Sequence, residues 1–201
     1  MEKVNYITYI RKGLSNFKKR KVCFNEQGVE FDDTDFIKKQ NSFIRYSDIK
    51  DFKFGIEWIK GYYFVIGRKY ILTIRDLNNN KLNISFKSYY GYKKIELSEK
   101  YSNLLNTIWN NYVDDLVLKL ITDIENGEEI EIAKTKIDSK RILYSKKTTE
   151  WKKISTKAYD HYYVIYSKNN EHYNKAYYFK DDWNIGVLYS LIETYKKKYY
   201  S

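Results

Sequence analysis

Proline is absent from these 201 residues, and cysteine and methionine occur once each. The single cysteine, Cys23, excludes an intramolecular disulfide and fits a reducing compartment. It lies in Lys21-Val22-Cys23-Phe24, a strand-like stretch that makes it a small core residue rather than a nucleophile. Histidine is nearly missing as well. A metal site built from His161, His172 and Cys23 would need three distant segments to converge, so no metal is expected. No run of about 18 apolar residues occurs, which excludes a membrane-spanning helix. Residues 1–13 carry Glu2, Lys3, Arg11 and Lys12 and lack an apolar run before a cleavage site. No secretory signal is read there, and a cytoplasmic protein is expected. Arginine supplies only six of the 37 basic residues, which argues against planar, two-point recognition of phosphate or guanine.

Apolar residues make up 43% of the chain and aromatics 18%, enough for a packed core in one large domain or two small ones. A net charge of +11 favours anionic partners. Missing proline together with abundant Lys, Asn, Ile and Tyr is also what a low-GC genome writes. That bias raises charge and tyrosine count without selection for function, so neither is read as a site by itself.

One long segment organises the rest. Leu97, Tyr101, Leu104, Leu105, Ile108, Tyr112, Leu116, Leu120, Ile121 and Ile124 follow three-then-four spacing, which predicts a helix over 97–125. Asn126-Gly127 closes it, since both residues tolerate a left-handed cap. Before the helix, Val4–Leu14 reads as an edge strand or a short helix. Strands follow at Val22–Phe24 and Val29–Phe31, joined by a turn in which Gly28 supplies positive φ, and a further strand covers Ser42–Phe54. Gly55–Gly61 reads as a turn carrying Trp58, and Tyr62–Ile66 and Tyr70–Arg75 as strands broken at Gly67. Asn78–Asn80 is a turn before the strand Leu82–Phe86.

After Gly127 the pattern begins again. Phe24-Asn-Glu-Gln-Gly-Val29 lies over Ile137-Asp-Ser-Lys-Arg-Ile142, and Tyr46-x-x-Ile49 over Trp151-x-x-Ile154. Asn78–Asn80 matches Asn169-Asn170. Asp181-Asp182 then caps a helix with Trp183, Val187, Leu188, Leu191, Ile192 and Tyr195 on one face. This shared order resembles bacterial pleckstrin-homology-like (PH-like) domains in tandem. The resemblance implies an α+β fold with a lead-in over 1–21 and units over 22–126 and 127–201. Each unit would be a bent antiparallel sheet, or partly open barrel, closed by its C-terminal helix. Arg141 stands where the first copy has Gly28, so a differently built turn is expected there.

No catalytic set is read and no cofactor is expected. Glu30, Asp32, Asp33 and Asp35 are the densest carboxylate cluster but lack calcium-loop spacing, and read as a solvated turn. Asp160-His161 has no serine or cysteine nearby, and the glycines at 55, 61 and 67 are not followed by Lys-Ser or Lys-Thr. Lysine is denser than elsewhere at Lys18-Lys19-Arg20-Lys21, at Lys196–Lys198 and across the opening strands of the second copy. The candidate binding residues are Arg141, Lys146, Lys147, Lys152 and Lys153, with only Glu150 opposing. A turn between Tyr144 and Trp151 would gather their heads. In eukaryotic relatives of the resembled fold the first hairpin holds anionic headgroups, and this copy lacks their arginine-bearing pattern. The expected function is a non-enzymatic interaction module for a protein partner, such as an immunity or adaptor protein. The alternative is a peripheral binder of anionic lipid or nucleic acid, and salt dependence separates the two.

Overall fold

A computed structural model describes residues 3–13, 18–32 and 42–200. The chain forms two compact units, Met1–Tyr112 and Val113–Ser201. In the first unit, β1 (Tyr6–Ile10), β2 (Arg20–Phe24), β3 (Gly28–Phe31) and β4 (Ser42–Arg45) pair antiparallel in chain order. The lead-in is therefore an edge strand. A 3₁₀ turn, Tyr46–Asp48, precedes a three-stranded meander of β5 (Ile49–Lys60), β6 (Val65–Asp76) and β7 (Lys81–Tyr89), and then α1 (Lys94–Ile108). Alternation supplies the core: Val22, Phe24, Val29 and Phe31 from one sheet, and Phe52, Leu72, Ile74, Ile84 and Phe86 from the other, all buried. Tyr101, Leu104 and Ile108 of α1 are buried as well. The Tyr101 ring lies 5.1 Å from Tyr70, and its hydroxyl donates to the Ile71 carbonyl at 3.1 Å.

The glycines behave differently from expectation. β5 runs straight through Gly55, and β6 straight through Gly67. A Cβ on Gly67 would stand 2.3 Å from the Ser88 carbonyl, so this glycine admits β7 rather than ending a strand. Gly28 lies outside the left-handed region. Its missing Cβ leaves room for the Ile44 carbonyl, which a methyl would meet at 2.2 Å.

The second unit opens with α2 (Asp114–Glu125). β8 (Ile130–Ile132), β9 (Thr135–Ile137), β10 (Arg141–Tyr144) and β11 (Lys147–Glu150) then form a second four-stranded sheet in chain order. A 3₁₀ turn, Trp151–Lys153, leads to β12 (Ile154–Ala158), β13 (Tyr162–Ser167), β14 (Asn170–Tyr178) and α3 (Ile185–Tyr199). From β1 to α1 and from β8 to α3, the elements follow the same order. The β ladders stop at the two 3₁₀ corners, so each unit carries two open sheets, and none of the sheets closes into a barrel.

The local chemistry of the corners repeats too. Asn25 Oδ1 accepts the backbone N–H groups of Gln27 and Gly28, both at 2.9 Å. Asp138 Oδ1 accepts those of Lys140 and Arg141 at 2.7 and 2.9 Å. Arg141 thus fits the same Asx turn, contrary to the expected difference. Trp151 N–H reaches the Lys140 carbonyl, as Tyr46 N–H reaches that of Gln27. Trp151, Ile154 and Ile49 are buried, while Tyr46 is half-buried. Neither α1 nor α3 has a side-chain cap; each follows a left-handed residue, Lys93 or Asn184. Asp182, expected as the cap, instead accepts the Tyr178 N–H at 2.9 Å.

The long helical segment contains a π-helical turn, Trp109–Val113. Its buried apolar positions run 104, 108, 113, 117, 121 and 124, with one five-residue step at that turn. The π turn rotates the stripe, so Val113 and Val117 are buried while Leu116 and Leu120 are only half-buried.

Candidate binding surfaces

Among the described residues no three His, Cys, Asp or Glu side chains converge on a metal position. Cys23 is buried in β2. His161 precedes β13 and His172 lies on β14, both exposed. In the acidic cluster, Asp32 faces Lys18 at 3.4 Å, while Asp33 and Asp35 lie outside the described residues.

The five candidate cations of the second unit separate into groups. Ser145 and Lys146 both have positive φ, 46° and 62°, and form a two-residue hairpin between β10 and β11. Lys146 sits at this tip, and the Lys147 ammonium lies 3.5 Å from the centroid of the Tyr173 ring. Lys152 and Lys153 lie on the 3₁₀ turn at the other end of β11. The strand between keeps the two pairs apart. Arg141 pairs across the ladder with Glu150, and its Nε donates to Asp138 at 3.1 Å. Burial opposes ionisation of the Asp138 carboxyl. Even so, the N–H groups of Lys140 and Arg141 and the Arg141 side chain hold it below the usual carboxylate range. Lys153 pairs with Glu150 at 3.1 Å. Lys140, Arg141 and Lys153 share a concavity of about 470 Å³, with Glu150 in its wall. Its cations are therefore largely answered by carboxylates.

A different surface stands out at one end of the first unit. The β5–β6 connection turns at Gly61–Phe64, closed by the Gly61 N–H donating to the Phe64 carbonyl at 2.8 Å. A strand over Tyr62–Ile66, as expected from the sequence, would turn its successive rings to opposite faces. Because these residues form the turn, all three point outward, 99%, 94% and 65% exposed, and Val65 follows at 52%. Trp58 is exposed on the adjoining strand, Tyr90 and Tyr92 on the connection into α1, and Ile95 in the first turn of α1. The Tyr90 N–H donates to the Ile66 carbonyl at 2.8 Å, tying that connection to the hairpin.

Cations surround these rings. The Arg68 guanidinium lies 4.8 Å from the centroid of the Trp58 ring. Trp58, Val65, Arg68, Tyr90, Gly91 and Lys94 line a concavity of about 270 Å³. Residues 58–69 and 87–95 together contain six Lys or Arg and no carboxylate. The nearest acids along the chain, Glu57 and Glu96, mark the border, where they pair with Lys69 at 3.9 Å and with Lys93 at 3.2 Å. The signal for this surface was present as two acid-free, aromatic-rich windows. A turn at Gly55–Gly61 would leave Trp58 at the tip and Tyr62–Val65 within a strand, whereas β5 continues to Lys60 and the chain turns at Gly61–Phe64.

No known protein family matches the chain, and no curated protein matches it either. Among the described residues no helix is long and apolar enough to cross a membrane.

Proposed function

We propose that the protein is a non-enzymatic interaction module of two PH-like units that docks on an extended anionic surface through the β5–β6 end of its first unit. The repeated order of four strands, corner, three strands and helix supports the tandem PH-like reading. The observation that carries the docking reading is the run of exposed side chains from Tyr62 to Val65, flanked by cations and free of carboxylate over 58–69 and 87–95. Solvated rings add nothing to the stability of the fold. Burying apolar area against a partner returns about 25 cal/mol per Å². The surrounding cations supply attraction that an anionic surface satisfies and water only screens. In the second unit Arg141 pairs with Asp138 and Lys153 with Glu150, and no cluster of exposed rings like that of Tyr62–Phe64 accompanies them among the described residues.

The test is binding to immobilised phosphate-bearing surfaces as ionic strength is raised. Affinity is expected to fall steeply with salt, and Lys60→Gln/Arg68→Gln/Lys94→Gln is expected to lower it about tenfold or more. A protein partner gripped by tyrosines, as an immunity protein or adaptor would grip it, predicts salt-insensitive binding. No affinity for any polyanion would refute the proposal.

A further inference from the structure

We infer that the anionic surface is a phospholipid bilayer, entered by the tip of the β5–β6 hairpin to the depth of Tyr62–Val65. The inference rests on the docking function proposed above and names its partner. Shape comes first. The exposed rings sit on the apex of a two-stranded hairpin, where Tyr62 and Tyr63 lean on each other at 6.3 Å and are almost wholly solvated. A stable protein interface needs about 800 Å² per partner of complementary surface with anchors held in packed pockets. A convex tip offers neither, whereas a bilayer parts around a wedge without shape complementarity.

Chemistry follows the same axis. The apex carries Tyr62, Tyr63, Phe64 and Val65, and Ile95 is exposed in the first turn of α1. In the ladder Lys60 faces Val65, and Trp58 faces Arg68 two positions behind. At about 3.3 Å per residue, the Trp58–Arg68 pair lies roughly 7 Å back from the last pair of the hairpin. Amphipathic protein surfaces bury about 5–10 Å into the headgroup and acyl boundary, with Trp and Tyr at the interface and Lys and Arg at the phosphates. Aliphatic Val65 beside the rings suits acyl chains better than nucleobases, which stack on flat aromatic platforms. The cations give the second signal that a shallow apolar anchor needs for stable attachment. This hairpin is not the first hairpin, where the resembled fold holds headgroups, so the surface is a separate one.

The experiment is cosedimentation of the full chain with phosphatidylcholine vesicles, with and without phosphatidylglycerol, alongside binding to a single-stranded oligonucleotide. Tyr62→Ser/Tyr63→Ser/Phe64→Ser is compared with wild type after thermal melts confirm its fold. Vesicle binding that requires phosphatidylglycerol and falls about tenfold or more in the ring variant is the expected result. In the wild-type protein, lipids brominated along the acyl chain are expected to quench tryptophan fluorescence, and Trp58→Phe to remove that quenching. This readout does not depend on the triple variant folding. Undiminished vesicle binding by the folded ring variant would overturn insertion but leave anionic docking standing. Oligonucleotide binding without vesicle binding would overturn the bilayer and likewise leave anionic docking standing. Binding to neither would overturn both.

Discussion

Trp151 tests the packing of the second unit, because three contributions meet at one ring. It is 1% exposed, lies 4.5 Å from Tyr195 and 6.1 Å from Tyr200 between centroids, and its Nε1–H donates to the Asp138 carbonyl at 2.8 Å. Truncating a buried tryptophan to alanine costs about 3–5 kcal/mol through lost transfer energy and the cavity left behind. The lost hydrogen bond adds only about 1 kcal/mol, since the Asp138 carbonyl belongs to a surface turn that water can reach. Trp151→Ala is therefore expected to destabilise this unit by about 4–6 kcal/mol, a large share of the roughly 5–15 kcal/mol that holds a domain. Trp151→Phe keeps most of the packing and loses the donor, for about 1–2 kcal/mol. Urea unfolding followed by far-UV circular dichroism reads both, avoiding the fluorescence of the residue removed. A loss under about 1 kcal/mol for alanine, or equal losses for the two variants, would refute the reasoning.

Asn111 is fully buried and clamps the N-terminal segment: its Oδ1 accepts the Val4 N–H at 2.7 Å, and its Nδ2 donates to the Val4 carbonyl and the Tyr46 hydroxyl, both at 2.8 Å. Asn111→Ala is expected to cost about 2–3 kcal/mol and to speed amide exchange in β1. Replacing Lys146, Lys147, Lys152 and Lys153 together by glutamine is expected to leave stability within about 1 kcal/mol and the salt-sensitive docking of the first unit unchanged; a collapse of binding would move the site to the second unit. Burial raises the phenols of Tyr112 and Tyr177 to about 12. With unfolded values near 10, the neutral phenols contribute fully below pH 10, and that stability is lost as pH rises from about 10 through 12, up to roughly 2–3 kcal/mol each. The urea midpoint is expected to hold to about pH 9.5 and then fall, with a shallower fall in Tyr177→Phe; a flat profile to about pH 12 would refute the burial argument.

Much of the architecture was legible because it is written in local chemistry. Asn25 and Asp138 announce their turns through side-chain oxygens that reach backbone N–H groups two and three residues on, and that signal needs no tertiary context. Period-2 alternation placed most strands. β5 continues through Gly55, where a turn was expected; at Gly67 a glycine in a strand can mark a break or the close approach of a neighbour, and only the position of β7 distinguishes them. The expected helix stripe matches the buried face at Tyr101, Leu104 and Ile108 and again at Ile121 and Ile124. Between them the π turn shifts the phase, burying Val113 and Val117 in place of Tyr112, Leu116 and Leu120, which Asn111 hints at only once Val4 and Tyr46 are seen bonded to it.

The sequence by itself determined the α+β class, the internal repeat, the two corner motifs and the burial of Trp151 and Ile154, because these follow from side-chain periodicity and from hydrogen bonds a few residues long. Tertiary structure decided where the charge acts. Arg141 and Lys153 meet Asp138 and Glu150 only three residues away, so their pairing is local, whereas the β10–β11 ladder sets Arg141 opposite Glu150 as well. Residues 58–69 and 87–95 are distant in sequence, and strand pairing joins them into one acid-free end around exposed rings. Screened electrostatics depends on separations of a few ångströms in space, which a one-dimensional charge count does not contain.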